Sequence, residues 1–172
     1  MTTIVILAVA VACAAAGCAP SPAPSPSLSS TGFASDAEAF AAAEATYRTY
    51  VDALNQVDLA DPTTFEPVFR LTTGEAKEAA SEEFDSLRGR GLTVGGDTRI
   101  TLLHVDETSA RHSVRLLVCA DVSEVTLTDT LGQSAVSPDR PAVQPLSIMV
   151  DTDVQGARIS SISGRAGAPS CG

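Results

Sequence analysis

Between Arg111 and Ser123 the chain alternates. Val114, Leu116, Val118, Ala120 and Val122 fall on one side of an extended strand; Ser113, Arg115, Leu117, Cys119, Asp121 and Ser123 fall on the other. A period of two is the geometry of a β-strand, and an apolar strand face has to be covered. Helical patterns upstream supply the cover. Ser35-Asp36-Ala37-Glu38 has the capping-box spacing, and Phe40, Tyr47, Tyr50, Val51 and Leu54 follow at helical intervals. A helix over 36–56 is expected.

Asp61-Pro62 suits a helix cap followed by proline in the first turn, with Phe65, Val68 and Phe69 as its apolar side. Pro67 keeps that helix short. Thr72-Thr73-Gly74-Glu75 reads as a second capping box, opening a helix over 75–90 with Ala76, Ala80, Phe84 and Leu87 on one stripe. Glu75 and Glu78 near its start and Arg88 and Arg90 near its end complement the helix dipole, and Gly91 terminates it. The acidic run Glu82-Glu83-Phe84-Asp85 reads as a solvated helix face.

From Leu92 onward, β-branched residues and alternation take over. Strands are expected near 92–94, 98–106, 111–123, 124–129, 144–151 and 157–163, with a hairpin turn at Thr152-Asp153-Val154-Gln155-Gly156 and a loop at Asp139-Arg140-Pro141. Helices followed by an antiparallel sheet make an α+β fold. Phe40, Tyr47, Phe84, Val114, Leu116 and Val118 should be buried.

The N-terminus carries an address. Ile4 to Ala16 are thirteen consecutive apolar residues, short of the ~20 that span a bilayer. They fit the apolar core of a secretory signal. Met1-Thr2-Thr3 carries no basic residue and the first is Arg48, so a start upstream of Met1 is expected. The run closes on Ala15-Ala16-Gly17-Cys18, which resembles a bacterial lipobox. That resemblance implies cleavage before Cys18, acylation of its thiol, and anchoring on the extracytoplasmic face of the cell membrane. Prolines 20, 22, 24 and 26 then alternate with small residues. This tether would stay extended at roughly 3 Å per residue. The expected organisation is a signal at 1–17, a lipidated Cys18 and tether at 18–34, and one domain at 35–172.

Of four cysteines, Cys13 leaves with the signal and Cys18 takes the lipid. Cys119 and Cys171 remain, and an exported domain can oxidise them to a disulfide. No C-x-x-C occurs, and neither histidine lies within four residues of either cysteine, so a metal pair is not expected. The charge argues in the same spirit. With 11 basic and 21 acidic residues the chain carries −10. That balance disfavours nucleic acid and electrostatic docking on anionic lipid, and favours neutral or cationic partners.

Candidate chemistry is sparse. Tyr47, Tyr50, Asp106, Asp121 and His104 are the side chains that acid–base catalysis would need. No G-x-S-x-G, P-loop, G-x-G-x-x-G or H-E-x-x-H is present. Asp151 to Gly156 imitates half a calcium loop, but position five is Gln155 and position twelve Ile162. His104 and His112 are placed to face each other across a hairpin beside Asp106, without a third rigid ligand. No cofactor is expected.

The wording Tyr47-Arg48-Thr49-Tyr50-Val51-Asp52-Ala53-Leu54-Asn55 and Val118-Cys119-Ala120-Asp121-Val122-Ser123, with the tether and the cysteine one residue from the end, resembles small lipoproteins of actinobacteria. The order of elements resembles the cone-shaped nuclear-transport-factor-two-like fold. That resemblance implies helices packed into the concave side of a curved antiparallel sheet; a cystatin-like α+β domain is the alternative. A cone of this kind would bind a ligand or an envelope protein near Tyr47, Tyr50 and Asp121, without catalysis. A small isomerase- or dehydratase-like enzyme and a purely structural tethered domain are the other two readings.

Overall fold

The computed structural model describes residues 32–106 and 108–171. The signal, Cys18 and the tether up to residue 31 lie outside the described residues. Helix α1 (Asp36–Leu54) is followed by a short 3₁₀ turn (Pro62–Phe65), α2 (Glu66–Leu71) and α3 (Gly74–Gly89). Six strands follow: β1 (Thr93–Gly95), β2 (Arg99–Val105), β3 (Ser113–Asp121), β4 (Thr126–Thr128), β5 (Val143–Asp153) and β6 (Gly156–Gly164).

Local chemistry sets most boundaries. Ser35 Oγ accepts from the Glu38 amide at 3.2 Å, while the Glu38 carboxylate takes the Ala34 amide at 2.9 Å, one residue outside the standard box. Asp61 accepts from the Thr63 amide at 3.0 Å and caps the 3₁₀ turn. The second capping box does not form. Thr73 is the N-cap of α3 and makes no side-chain cap bond. Thr72 is buried and its hydroxyl donates to the Val68 carbonyl at 3.1 Å. Its backbone forms a parallel bridge with Ile159, and the Thr73 amide donates to the Ile159 carbonyl at 2.8 Å. The link between α2 and α3 is thus built as an extra rung on β6, which leaves Thr72 no freedom to cap. Gly91, at φ +67°, ends α3: its amide reaches Arg88 O and the next amide, Leu92, reaches Leu87 O.

The strands form two antiparallel sheets, β2-β3-β5-β6 and the smaller pair β1-β4. The long strand is shorter than its alternation. Arg111 and His112 belong to the turn that closes with an Ala110–Ser113 bridge. At the far end the Asp121 carboxylate accepts the Ser123 amide and bends the chain out of the sheet. The β5–β6 hairpin turns at Val154-Gln155, with Asp153 opposite Gly156, as its sequence suggested.

Helix α1 lies across one face of the four-stranded sheet. Val114, Leu116, Val118, Ile148, Val150 and Ile159 are fully buried there against Ala39, Ala43, Tyr47 and Val51. Each buried aliphatic side chain of this kind contributes about 1.5–3 kcal/mol. The alanines let the helix approach the sheet closely. Phe40, expected to be buried, is only half-buried at the margin of this cluster. A second cluster joins Ala53 and Leu59 to Phe65, Val68, Phe84, Leu87 and Leu92. Its centre is the Phe65–Phe84 ring pair at 4.6 Å. On the opposite face of the large sheet, Cys119 meets Cys171 in a disulfide with Cα atoms 5.5 Å apart. Arg165 fastens the same tail, donating to the Leu146 carbonyl at 3.2 Å.

Candidate binding cleft between the first and third helices

The helices α1 and α3 do not close on each other. Between Tyr50 and Leu54 of α1, Ala76, Ala79, Ala80 and Phe84 of α3, and Ile162 of β6 lies a cleft of about 360 Å³. Three alanines stand where bulkier residues would fill the space. A smaller lobe of about 190 Å³ lies on the other side of Leu54, Glu83 and Phe84, walled by Val94 and Leu127 of the small sheet. Apolar clefts of a few hundred Å³ with few polar groups are the usual form of a small-molecule site.

Tyr50 packs against both hydrophobic clusters. Loss of hydration pushes its phenol up to about 12. Tyr47 is more deeply buried, its ring 6.0 Å from that of Tyr50 and nearly parallel to it. Burial, and secondarily the neighbouring Tyr50, pushes its phenol higher still. Both phenols are therefore neutral at physiological pH. On the exposed rim, α3 contributes two carboxylates, Glu75 and Glu83. Asn55, at the C-cap of α1, lines the smaller lobe and bonds through its amide to Thr98.

The structure brings Tyr47 and Tyr50 together but sets Asp121 apart from them. Asp121 belongs to the outer alternation of β3, on the sheet face away from α1. Its carboxyl is held below the usual range by hydrogen bonds from Ser123 and by Arg99. The expected grouping of the three residues fails because alternation places Asp121 with Cys119's outward neighbours, not with the core. Asp106 and His104 line a broad, open depression of about 770 Å³ on that outer side, with Leu102, Leu117 and the tail residues Ala168 and Pro169. Asp106 is occupied by the amide and hydroxyl of Thr108, which lower its pKa, and it is half-buried. His104 pairs with Leu117, whereas His112 precedes β3, so the two imidazoles do not face each other. Asp153 accepts the Gln155 amide within the hairpin. Among the described residues no group of three His, Cys, Asp or Glu side chains is placed to hold a metal. Cys18 lies outside the described residues.

Two cleft residues escaped the sequence reading. Glu83 belongs to the run read as merely solvated, and Asn55, inside the helix expected over 36–56, carried no assigned task. The available signal was the Ala76-Ala79-Ala80 stripe, too small to fill a helix interface.

No family model and no curated protein matches this chain. The fold has a solved counterpart. Over 74% of this chain it aligns with 97% of the intermembrane space region of the chloroplast protein ARC6, at a TM-score of 0.50 and 16% identity. A de novo designed β-sheet protein aligns with 78% of this chain and 94% of its own, at a TM-score of 0.35 and 13% identity. At such identities the ARC6 likeness speaks to fold alone: helices packed against antiparallel sheets. No described helix is long and apolar enough to cross a membrane.

Proposed function

We propose that this chain is a lipid-anchored extracytoplasmic protein whose one folded domain, residues 35–172, binds a ligand without transforming it. The observation that carries the binding reading is the apolar cleft between α1 and α3, with the neutral phenol of Tyr50 in its wall. In this reading the helices and the two sheets make a cone-like container, and the cleft is its mouth. The non-catalytic part rests on placement: Asp121 and Asp106, the carboxylates an acid–base pair with the phenols would need, stand on the sheet face away from Tyr47 and Tyr50. Anchoring rests on the Ala15-Ala16-Gly17-Cys18 box and the extended tether behind it.

Two measurements test the two halves. Intact-mass analysis of the membrane fraction should find a diacylglyceryl adduct on Cys18, and Cys18→Ala should release the chain or leave it unprocessed; an anchored variant of unchanged mass rejects the anchor. For the cleft, a small apolar compound that raises the unfolding temperature should lose its effect in Ala80→Leu, which fills the space from a half-buried position. Chemical turnover of any bound compound, abolished by Tyr50→Phe at unchanged stability, would replace the binding reading with an enzyme.

A further inference from the structure

The cleft has a chemical asymmetry that narrows its ligand. Its walls are Leu54, Phe84, Ala80 and Ile162, and its charged rim residues are Glu75 and Glu83. No lysine or arginine lines either lobe. Neither glutamate belongs to an ion pair among the described residues; the one pair on α3 joins Arg88 to Asp85. Tyr50 stands in the wall of the larger lobe with both glutamates, half-buried between the two hydrophobic clusters.

We propose that the cleft between α1 and α3 takes a small ligand with a short apolar body and one cationic group, a quaternary or protonated amine. The proposal rests on the binding reading above. The apolar body lies between Leu54, Ala80 and Phe84. The cation sits at the rim, where Glu83 or Glu75 offers charge, with Tyr50 lining the same cleft. A carboxylate, sulfonate or phosphate at the same place would meet two like charges and no donor besides the Tyr50 hydroxyl. Because the glutamates stand eight residues apart on α3, about 12 Å along the axis, a single cation engages one of them closely and the other only at long range. Exposed carboxylates act weakly and are screened by salt, so the preference is modest and ionic-strength dependent.

The test uses the full chain in zwitterionic lipid nanodiscs, with empty nanodiscs as control. Hexyltrimethylammonium, 1-hexanol and hexanesulfonate are titrated while the ring signals of the chain's two tyrosines are followed by NMR. The cation should bind tightest and the sulfonate weakest. Glu83→Gln should weaken the cation about two- to fivefold and leave hexanol unchanged. Added salt should narrow the same gap. Ala80→Leu should abolish binding of all three. Equal affinity for hexanol and the ammonium compound, or no response to the Glu75→Gln/Glu83→Gln pair, overturns the cation preference while the cleft reading survives. If none of the three perturbs Tyr50, both readings fall.

Discussion

The side-chain amide of Asn55 and the backbone of Thr98 exchange two hydrogen bonds, Nδ2 to the carbonyl at 3.0 Å and the Thr98 amide to Oδ1 at 2.9 Å. The amide supplies what a neighbouring strand would supply, but from the C-cap of α1. It ties the end of that helix to the start of β2 and fixes one wall of the smaller lobe. Asn55→Ala leaves a partly buried donor and acceptor unpaired. A loss of about 1–3 kcal/mol is expected. Urea unfolding should show the midpoint falling with the slope unchanged; an unchanged midpoint would mean that water replaces both bonds at no cost.

A glycine makes the adjoining turn possible. Gly96 has φ +75°, and a Cβ built there would lie 1.9 Å from the Glu124 carbonyl oxygen. Both the backbone conformation and the space exclude a side chain. Gly132 has a similar φ of +79° but open space around it. The two glycines therefore separate the effects. Gly132→Ala should cost about 1–2 kcal/mol from the left-handed backbone alone. Gly96→Ala should cost more, because Glu124 must move and carry β4 with it. Equal losses in thermal unfolding would show that the turn at Glu124 yields freely.

The inward face of β3 was legible because alternation is a local signal with a single geometric meaning. Val114, Leu116 and Val118 fall where their spacing puts them. The same holds for the Asp153–Gly156 turn and the Gly91 stop, where one residue dictates the backbone. Thr72 was misread because a capping box is a pattern of four residues, while the competing bridge to Ile159 comes from 87 positions away. The division into two sheets was equally hidden, since it depends on which strands meet. Tyr47 and Tyr50 were visible as a pair, but Asp121 was grouped with them by chemistry and not by face. The cleft itself is a space, and only the alanine stripe hinted at it.

The tail depends on a covalent link. Cys119 and Cys171 are 52 residues apart in sequence. A loop of that size stabilises by roughly 4 kcal/mol in the chain-entropy picture. Peptide mapping without reduction should recover the two cysteines linked. Cys171→Ala should lower stability by a large fraction of that amount while leaving helix content intact, because the tail beyond Gly164 joins no strand. Dithiothreitol should act on the parent chain and not on the variant. A variant as stable as its parent would show that Arg165 alone holds the tail.

The two tyrosines give an optical test of the site on the alkaline side. They are the only tyrosines in the chain, and there is no tryptophan to obscure tyrosinate absorbance. Unfolded phenols ionise near the ordinary value of 10.0, whereas Tyr50 is pushed up to about 12 and Tyr47 is raised further. Above pH 10 the unfolded chain therefore releases protons that the folded chain keeps. The unfolded state binds fewer protons, so stability falls as pH rises. The contribution of the two phenols is fully present below pH 10 and is lost as the pH climbs through the folded values. Native protein should show little tyrosinate at pH 10.0, with Tyr50 ionising only around pH 12, while urea-unfolded protein titrates both phenols near 10.0. Tyr50→Phe should remove the earlier part of the native titration and leave the later one. A native titration centred on 10.0 would mean that water reaches Tyr50 freely, and the cleft wall would then be no apolar wall at all.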